Sequence, residues 1–259
     1  MKKLLIVSAA FIALGTSAPA TAADMQVKAP VYKAPPPVYV FSWAGFYIGA
    51  DVGGGWSKTS LTNTISDGNI SWPDLAPGQG IGYNQHGFIG GGHIGYNWQT
   101  ANWVLGVEVS GFGANIKGGA TTVPGDPFSA GDDVFSSRIR SLFLATARVG
   151  VAWDRALLYV RGGYAGADVR TTVSDTVGST GAGADSNWRS GGTVGVGLEY
   201  AFTDNLIGGV EYDYVRLNSA SINLGDVNAQ YVFNDAGRDL SLVYGRLSYK
   251  FGGPGVARY

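Results

Sequence analysis

Apolar residues recur at every second position along most of the chain from residue 43 to residue 251. In the stretch FYIGADVGGGW over 46–56, the even positions are apolar apart from one Gly, whereas the odd positions carry Tyr, Asp and Gly. A period of two predicts β-strands whose two faces differ. The same alternation recurs in seven further segments: 86–98, 103–114, 138–152, 157–168, 188–201, 206–216 and 239–251. The predicted strands, of about 11 to 14 residues, are longer than most strands of soluble sheets and long enough to cross a bilayer at a tilt.

The connections between these segments alternate in length. Short turns lie around 99–102, 154–156 and 202–205, and the long connections span 58–85, 115–137, 169–187 and 217–238. Long loops at one end and short turns at the other are typical of outer-membrane up-and-down barrels, in which the long loops face outside. The pattern therefore predicts an all-β fold, an eight-stranded antiparallel up-and-down transmembrane β-barrel with both termini in the periplasm.

The amino terminus predicts export. Lys2 and Lys3 precede the apolar run LLIVSAAFIAL over 4–14, and small residues follow up to Ala23. This order is typical of a secretory signal peptide, and the apolar run is shorter than the roughly 20 residues of a spanning helix. We therefore predict a signal peptide over 1–23, a Pro-rich periplasmic linker over 24–42, a barrel over 43–251 and a carboxy-terminal extension over 252–259.

The charged residues indicate which face of the strands meets lipid. The apolar faces carry no charge in the middle of the strands, whereas the opposite faces carry Asp51, His93, Glu108, Arg140, Arg148, Arg161, Glu199, Glu211, Asp213, Arg246 and Lys250. An Arg or Lys facing hydrocarbon costs roughly 2 to 4 kcal/mol near the midplane, and the interior of an eight-stranded barrel is filled by side chains. Five acids and five bases then predict a neutral salt-bridged plug and a closed lumen. Leu142 and Leu144 share the face of Arg140.

Tryptophan positions support the same topology. Six of the seven Trp residues lie at the ends of predicted strands, which predicts two aromatic girdles at the membrane interfaces. The predicted girdle residues are Trp43, Trp98, Trp103 and Trp153 at the periplasmic end, and Trp56 and Trp188 at the external end. Trp72 falls within the first long connection.

Composition narrows the function. The chain contains 41 Gly and no Cys, only 14% of its residues are charged, and its net charge is −1. Each Gly weakens a helix by about 1 kcal/mol relative to Ala, so the composition disfavours a helical fold. The lack of Cys excludes thiol chemistry. A net charge close to zero argues against nucleic-acid binding. The stretch GGGHIG at 90–95 matches a dinucleotide fingerprint but is not followed by a helical pattern. We therefore predict no catalytic residue, no cofactor and no metal.

The stretch WAGFYIG at 43–49 resembles the opening of the small alphaproteobacterial outer-membrane surface-antigen proteins, the immunogenic-protein or RopB-like porin family. The resemblance extends to residue 251 through YVRGG at 159–163, GVGLEY at 195–200 and YGRLSYKF at 244–251. It implies an OmpA-like eight-stranded barrel, surface exposure, and a role in envelope integrity and in contact with host or environment. The last strand also resembles an assembly signal, carried by Tyr244, Leu247, Tyr249 and Phe251, although here eight further residues follow.

These observations predict an outer-membrane surface protein with a structural role and without enzymatic activity. Its expected partners are outer-membrane lipids and lipopolysaccharide, the barrel-assembly machinery, and surface ligands of the host or environment. One alternative is a small porin that passes ions or small solutes. A second alternative, implied by the resemblance, is a protein that binds haem or another ligand at its external loops, where His86 is the histidine nearest to a loop.

Overall fold

A computed structural model of the chain describes residues 39–65, 78–121, 133–175, 182–223, 232–235, 237–252 and 255–256. The predicted signal peptide, the linker up to residue 38, Trp72, the tips of the four long connections and most of the carboxy-terminal extension lie outside the described residues. Among the residues described, no helix has the length and apolarity needed to cross a membrane.

The described residues form twelve β-strands in chain order. Their bounds are β1 Tyr39–Val40, β2 Gly45–Ile65, β3 Gly80–Thr100, β4 Trp103–Thr121, β5 Asp133–Trp153, β6 Ala156–Asp175, β7 Ala182–Ala201, β8 Leu206–Leu217, β9 Ala220–Asn223, β10 Val232–Asp235, β11 Arg238–Lys250 and β12 Gly255–Val256. Strands β2 to β8 pair in sequence order and antiparallel, β8 pairs with β11, and β11 pairs with β2. This pairing closes a ring of eight strands and confirms the predicted eight-stranded antiparallel barrel.

Short turns join the strands at one end of the ring, which we call the turn end; the opposite end is the loop end. Thr100 pairs with Trp103 across a two-residue turn, and Trp153 pairs with Ala156 across another. The first residue of each turn, Ala101 or Asp154, has a φ of about +50°, the left-handed conformation typical of tight hairpins. The turn-end boundaries of the predicted strands agree with the structure to within about two residues.

The strands extend further at the loop end than the sequence pattern predicts. β2 continues to Ile65 and β3 begins at Gly80, so the flanks of the predicted connection over 58–85 are strand. The connections over 115–137 and 169–187 are shortened in the same way. Within the connection over 217–238, β9 and β10 add a pair of short strands beside β2. Beyond the lipid both faces of a strand can be polar, so the alternation of apolar and polar residues fades while the backbone pairing continues.

The barrel interior is layered. Along β6 the inward residues run from the turn end to the loop end as Leu157, Tyr159, Arg161, Ala165, Ala167, Val169, Thr171 and Val173. Three apolar clusters alternate with polar layers. The turn-end cluster includes Trp43 and Val104, the middle cluster Leu142 and Leu144, and the loop-end cluster Phe233. The buried core of the protein therefore fills the interior of the barrel.

The exterior carries an uncharged apolar band. On β3 the band runs from Phe88 to Trp98, which corresponds to about 33 Å along the strand and, at a tilt of about 40°, about 25 Å along the barrel axis. This height matches the apolar band of outer-membrane barrels. Five of the predicted girdle tryptophans lie exposed at strand ends or beside the margins of this band: Trp56, Trp98, Trp103, Trp153 and Trp188.

Trp43 does not belong to the girdle. It is fully buried in the turn-end cluster, where its Nε1 donates to the Asp154 carbonyl oxygen at 3.3 Å and its ring packs edge-on against Phe41. The chain enters β2 through Gly45 at a φ of +130°, so the residues just before the strand turn into the mouth of the barrel rather than along its outer surface.

Candidate functional site

Ten of the eleven charged residues predicted to face the lumen are buried, each at most 4% exposed. Nine of them form one cluster, here called the interior charge network: Asp51, His93, Glu108, Arg148, Arg161, Glu199, Glu211, Asp213 and Arg246. They come from eight different strands. Alternation directs each side chain inward, and the register of the strands brings them to similar levels of the ring. The ring therefore brings together residues up to 195 positions apart.

Arg161 connects three carboxylates of the network. Its Nη1 lies 2.8 Å from Glu108 Oε1, and its Nη2 lies 2.7 Å from Glu211 Oε1 and 2.6 Å from Asp213 Oδ2. Its Nε also donates to Asp213 Oδ1 at 3.0 Å, so this pair is bidentate. A bidentate guanidinium–carboxylate pair holds both side chains in one orientation.

Arg246, on β11, also connects several carboxylates. Its Nη2 lies 2.7 Å from Glu108 Oε2, its Nε lies 3.3 Å from Glu199 Oε1, and its Nη1 donates to Glu211. Glu108 is thus shared between Arg161 and Arg246, and removal of either cation would leave a buried carboxylate short of a partner. Such a loss is costly, since an uncompensated charge would remain in the interior.

Two tyrosine rings clamp the third cation, Arg148. Its guanidinium carbon lies 4.6 Å from the centroid of the Tyr47 ring and 4.9 Å from that of Tyr159, while its Nη1 lies 3.1 Å from Glu199 Oε1. Glycines make room for these rings, because a Cβ at Gly95 would collide with Tyr47 and one at Gly197 would collide with Tyr159. The Gly-rich strands therefore serve packing of large side chains inside a narrow barrel.

The network does not contain equal numbers of acidic and basic side chains, contrary to the sequence-based expectation. It joins three guanidinium groups to five carboxylates and His93, because two of the predicted bases lie elsewhere. Hydroxyl donors supplement the cations: Tyr47 donates to Glu108 at 2.8 Å, and Tyr244 donates to Asp213 at 2.6 Å. Charge-assisted bonds of this kind stabilise buried carboxylates where guanidinium groups are too few.

His93 lies at the edge of the network and is held from two sides. Its Nδ1 lies 2.8 Å from Asp51 Oδ2, and its Nε2 lies 2.8 Å from the Ser248 hydroxyl oxygen. A Cβ at Gly49 would collide with the imidazole. The ring is therefore fixed in one orientation between β2 and β11. Among the described residues, no group of three or more His, Asp or Glu side chains is arranged to hold a metal ion.

Two basic residues depart from the predicted network. Arg140 lies on the outer surface, where its Nε is 3.9 Å from Asp168 Oδ2. The pairing of β5 with β4 and its pairing with β6 both shift between Ile139 and Ser141. The alternation of inward and outward residues along β5 therefore reverses at Arg140. Lys250 is buried, but at the turn end, where its Nζ donates to the Ser42 carbonyl oxygen at 2.6 Å.

The predicted assembly residues divide between the two faces of β11. Leu247 and Tyr249 lie exposed on the outer face, and Phe251 is exposed just beyond the strand. Tyr244 is buried and belongs to the interior, because its even position faces the lumen together with Arg246. Three of the four predicted assembly residues, Leu247, Tyr249 and Phe251, therefore lie on the outside.

A second polar cluster lies nearer the loop end and was not predicted. We call it the loop-end polar cluster, and it consists of Arg189, Asp235, Arg238 and Thr171. Asp235 Oδ2 lies 2.9 Å from Arg189 Nη1 and 2.8 Å from Arg238 Nε, and Arg238 Nη2 donates to Thr171 at 3.3 Å. All four residues are buried. The parity of Arg189 with Glu199 could have indicated its inward position, whereas Asp235 and Arg238 lie in a predicted connection or at its margin.

Replacement of Asp235 by Asn is expected to destabilise the loop-end extension of the barrel by about 1 to 3 kcal/mol, because two buried guanidinium groups would lose their shared carboxylate. Limited trypsin digestion of the folded protein should then cleave near the loop end sooner than in the unchanged protein. The matched control is Asp239→Asn, which removes an exposed carboxylate 3.4 Å from Arg216. Equal cleavage rates for the two variants would contradict a structural role of the cluster.

Similarity of the sequence to a family model and to its relatives agrees with this architecture. The family model described as "Outer membrane protein beta-barrel domain" matches residues 7–251. The 25 kDa outer-membrane immunogenic protein of Brucella ovis is 33% identical over 237 residues, covering 87% of this chain and 96% of that protein. The 31 kDa outer-membrane immunogenic protein of Brucella melitensis is 30% identical over 261 residues, covering 97% and 100%. The crystal structure of Neisserial surface protein A is 18% identical, with a TM-score of 0.37, and covers 80% of this chain and 98% of that one.

Proposed function

Since this chain belongs to the outer membrane protein beta-barrel domain family, we propose that it is a structural barrel of the outer-membrane surface whose lumen is closed by its own side chains. Its outer-membrane location and its relationship to alphaproteobacterial immunogenic proteins are as predicted. The carrying observation is the interior charge network, whose nine residues link all eight strands of the ring and are each at most 4% exposed.

Closure is supported by more than one layer. Trp43 fills the turn-end mouth, the interior charge network lies above it, and the middle apolar cluster, which includes Leu142 and Leu144, follows. Water and ions would have to pass both a buried ionic layer and a buried apolar layer. Opening a path would break buried ion pairs and would therefore cost several kcal/mol for each charge left unpaired.

In the proposed arrangement the loop end faces the exterior and the turn end faces the periplasm. Long connections outside and short turns inside are the general plan of bacterial outer-membrane barrels. This orientation places both termini in the periplasm and agrees with export through a signal peptide over 1–23. It exposes the strand extensions of the loop end to ligands of the host or environment, and it leaves Leu247, Tyr249 and Phe251 for the barrel-assembly machinery.

The burial of the polar residues in the lumen supports a role without catalysis. The carboxylates of the network contact guanidinium groups, tyrosine hydroxyls or His93. A general acid or base must reach a substrate, and a group that is buried and held by several partners does not. These contacts hold the polar side chains of the interior in fixed positions.

Planar-bilayer recording tests closure. We expect the purified full chain to show no stable open-channel conductance, because the interior charge network blocks the lumen. The small-porin alternative instead requires a steady conductance whose ion selectivity changes in Arg148→Ala and Glu199→Ala, two residues 3.1 Å apart in the network. A stable conductance with such a change in selectivity would show that the closed-lumen proposal is wrong. Heat-modifiable migration on a gel verifies that each variant is folded.

A further inference from the structure

Three cations lie side by side on the outer surface of the barrel near the loop end. Lys117 on β4 pairs in register with Arg138 on β5, and Arg138 pairs in register with Arg170 on β6. All three side chains point outward and are exposed. We call them the cationic row; His86 continues the row on β3, directly opposite Lys117.

This arrangement is unfavourable without an anion. Side chains directly opposite on adjacent strands have Cβ atoms about 5 Å apart, and like charges in that position destabilise a sheet. Among the described side chains, Lys117, Arg138 and Arg170 form no ion pair. The nearby Arg140 has Asp168 as its partner, at 3.9 Å.

On the opposite side of the ring, a carboxylate separates two exposed cations at a comparable position. There Asp239 on β11 lies in register between Arg216 on β8 and Lys58 on β2. Asp239 Oδ1 lies 3.4 Å from Arg216 Nη1, so charges of alternating sign neutralise one another. Within the described parts of β3 to β6 the cationic row has no such carboxylate in register, so its positive charges are not compensated there.

A recess is built into the surface at the cationic row. It has a volume of about 810 Å³, and its lining includes the row itself, the Phe88 ring and Asn115. Two register shifts lie within a few residues of this lining, one in β4 between Gly113 and Ile116 and one in β5 at Arg140. Bulges bend strands and re-aim side chains, and here the shift turns Arg138 outward, whereas uninterrupted alternation would have placed it on the inward face with Arg148.

The row lies at the margin of the apolar band. His86 pairs in register with Trp56, one of the loop-end tryptophans, and Phe88 lies two residues nearer the centre of the band. The headgroups of the outer leaflet meet a barrel at this level. An anion at the cationic row therefore has access to water on one side and to acyl chains on the other.

We infer that the cationic row is a binding site for the phosphate groups of a phosphorylated glycolipid of the outer leaflet, of the lipid A type. Guanidinium groups bind phosphate oxygens in pairs and Lys binds them as a point charge. The Phe88 face and the apolar band below it would contact the acyl chains. The inference rests on the proposed orientation, in which the loop end faces the exterior, but it does not depend on whether the lumen is closed.

Native mass spectrometry of the full chain in detergent, titrated with diphosphorylated lipid A, tests the site. The variant combining Lys117→Gln, Arg138→Gln and Arg170→Gln should bind lipid A at least about tenfold more weakly than the unchanged protein, a factor that corresponds to 1.4 kcal/mol. Arg216→Gln, which removes a paired cation on the other side of the ring, should bind like the unchanged protein. Dephosphorylated lipid A should bind weakly to all three proteins.

Competition with inorganic phosphate distinguishes a site for lipid phosphate from a site for free phosphate. If millimolar phosphate displaces lipid A completely, the site takes free phosphate and the lipid assignment is overturned. Equal lipid A binding by the triple variant and the unchanged protein also overturns it. The triple variant should fold, because it removes repulsion, and its thermal midpoint without lipid should not fall; should it fail to fold, Arg138→Gln alone must still weaken binding. The assay is independent of conductance, so either proposal can fail without the other.

Discussion

Replacement of Arg246 by Met should lower the free energy of unfolding of the barrel by about 3 to 5 kcal/mol. The guanidinium group of Arg246 lies 2.7 Å from Glu108 Oε2 and also contacts Glu199 and Glu211. Met fills much of the same volume but leaves these buried carboxylates with fewer cations. Urea unfolding of the protein in detergent micelles or lipid vesicles, followed by Trp fluorescence, measures the change.

The control for this variant is Arg216→Met. Arg216 forms an exposed ion pair with Asp239, at 3.4 Å, and exposed pairs contribute at most about 1 kcal/mol. Addition of Glu211→Gln to Arg246→Met should recover part of the lost stability, because it removes one of the unpaired charges. If Arg246→Met and Arg216→Met unfold alike, the interior charge network is not a major source of stability.

Replacement of Val196 by Arg is expected to destabilise the membrane-embedded barrel by about 2 to 4 kcal/mol. Val196 lies on the outer face of β7, in register with Val160 and Tyr212, and is 43% exposed. An Arg there would put a cation into hydrocarbon. Unfolding from lipid vesicles measures the cost, and the fraction of heat-modifiable protein reports whether the variant inserts.

Ala184→Arg serves as the matched control, because Ala184 lies on the outer face of the same strand but beyond Trp188, toward the loop end. Outside the apolar band the added charge meets water or headgroups, so the cost should fall to about 1 kcal/mol or less. Equal losses for Val196→Arg and Ala184→Arg would show that the outer face of β7 does not lie in lipid as the uncharged band indicates.

Much of the barrel follows from local chemistry that is visible in the sequence. The lipid requires every outward residue of the band to be uncharged, so alternation is strict there and the parity of Glu108, Arg161 and Glu199 predicts their inward position. The same parity would have found Tyr47 and Arg189. Tight turns are short and polar, and the predicted strand boundaries are therefore accurate at the turn end.

The errors occur where this constraint ends. Beyond the band no solvent contrast forces alternation, so the strand extension of β2 to Ile65 could not be recognised. A single register shift reversed the parity of Arg140, and a turn before β2 took Trp43 from the girdle into the lumen. Neither event leaves a mark in the hydrophobic pattern, because each depends on how a neighbouring strand pairs or on how the mouth of the barrel is filled.

The eight strands of the ring, their order, their outward apolar face and most of the buried charges can be read from the sequence alone, because each depends on the contrast between lipid and a polar interior along a single strand. Which charges meet depends on how the strands pair in three dimensions. Closure of the ring unites Glu108, Arg161 and Arg246 in one network, and the shift at Arg140 aligns Lys117 with Arg138 and Arg170 on the outside. Both outcomes depend on the register between strands, which sets distances that no single strand contains.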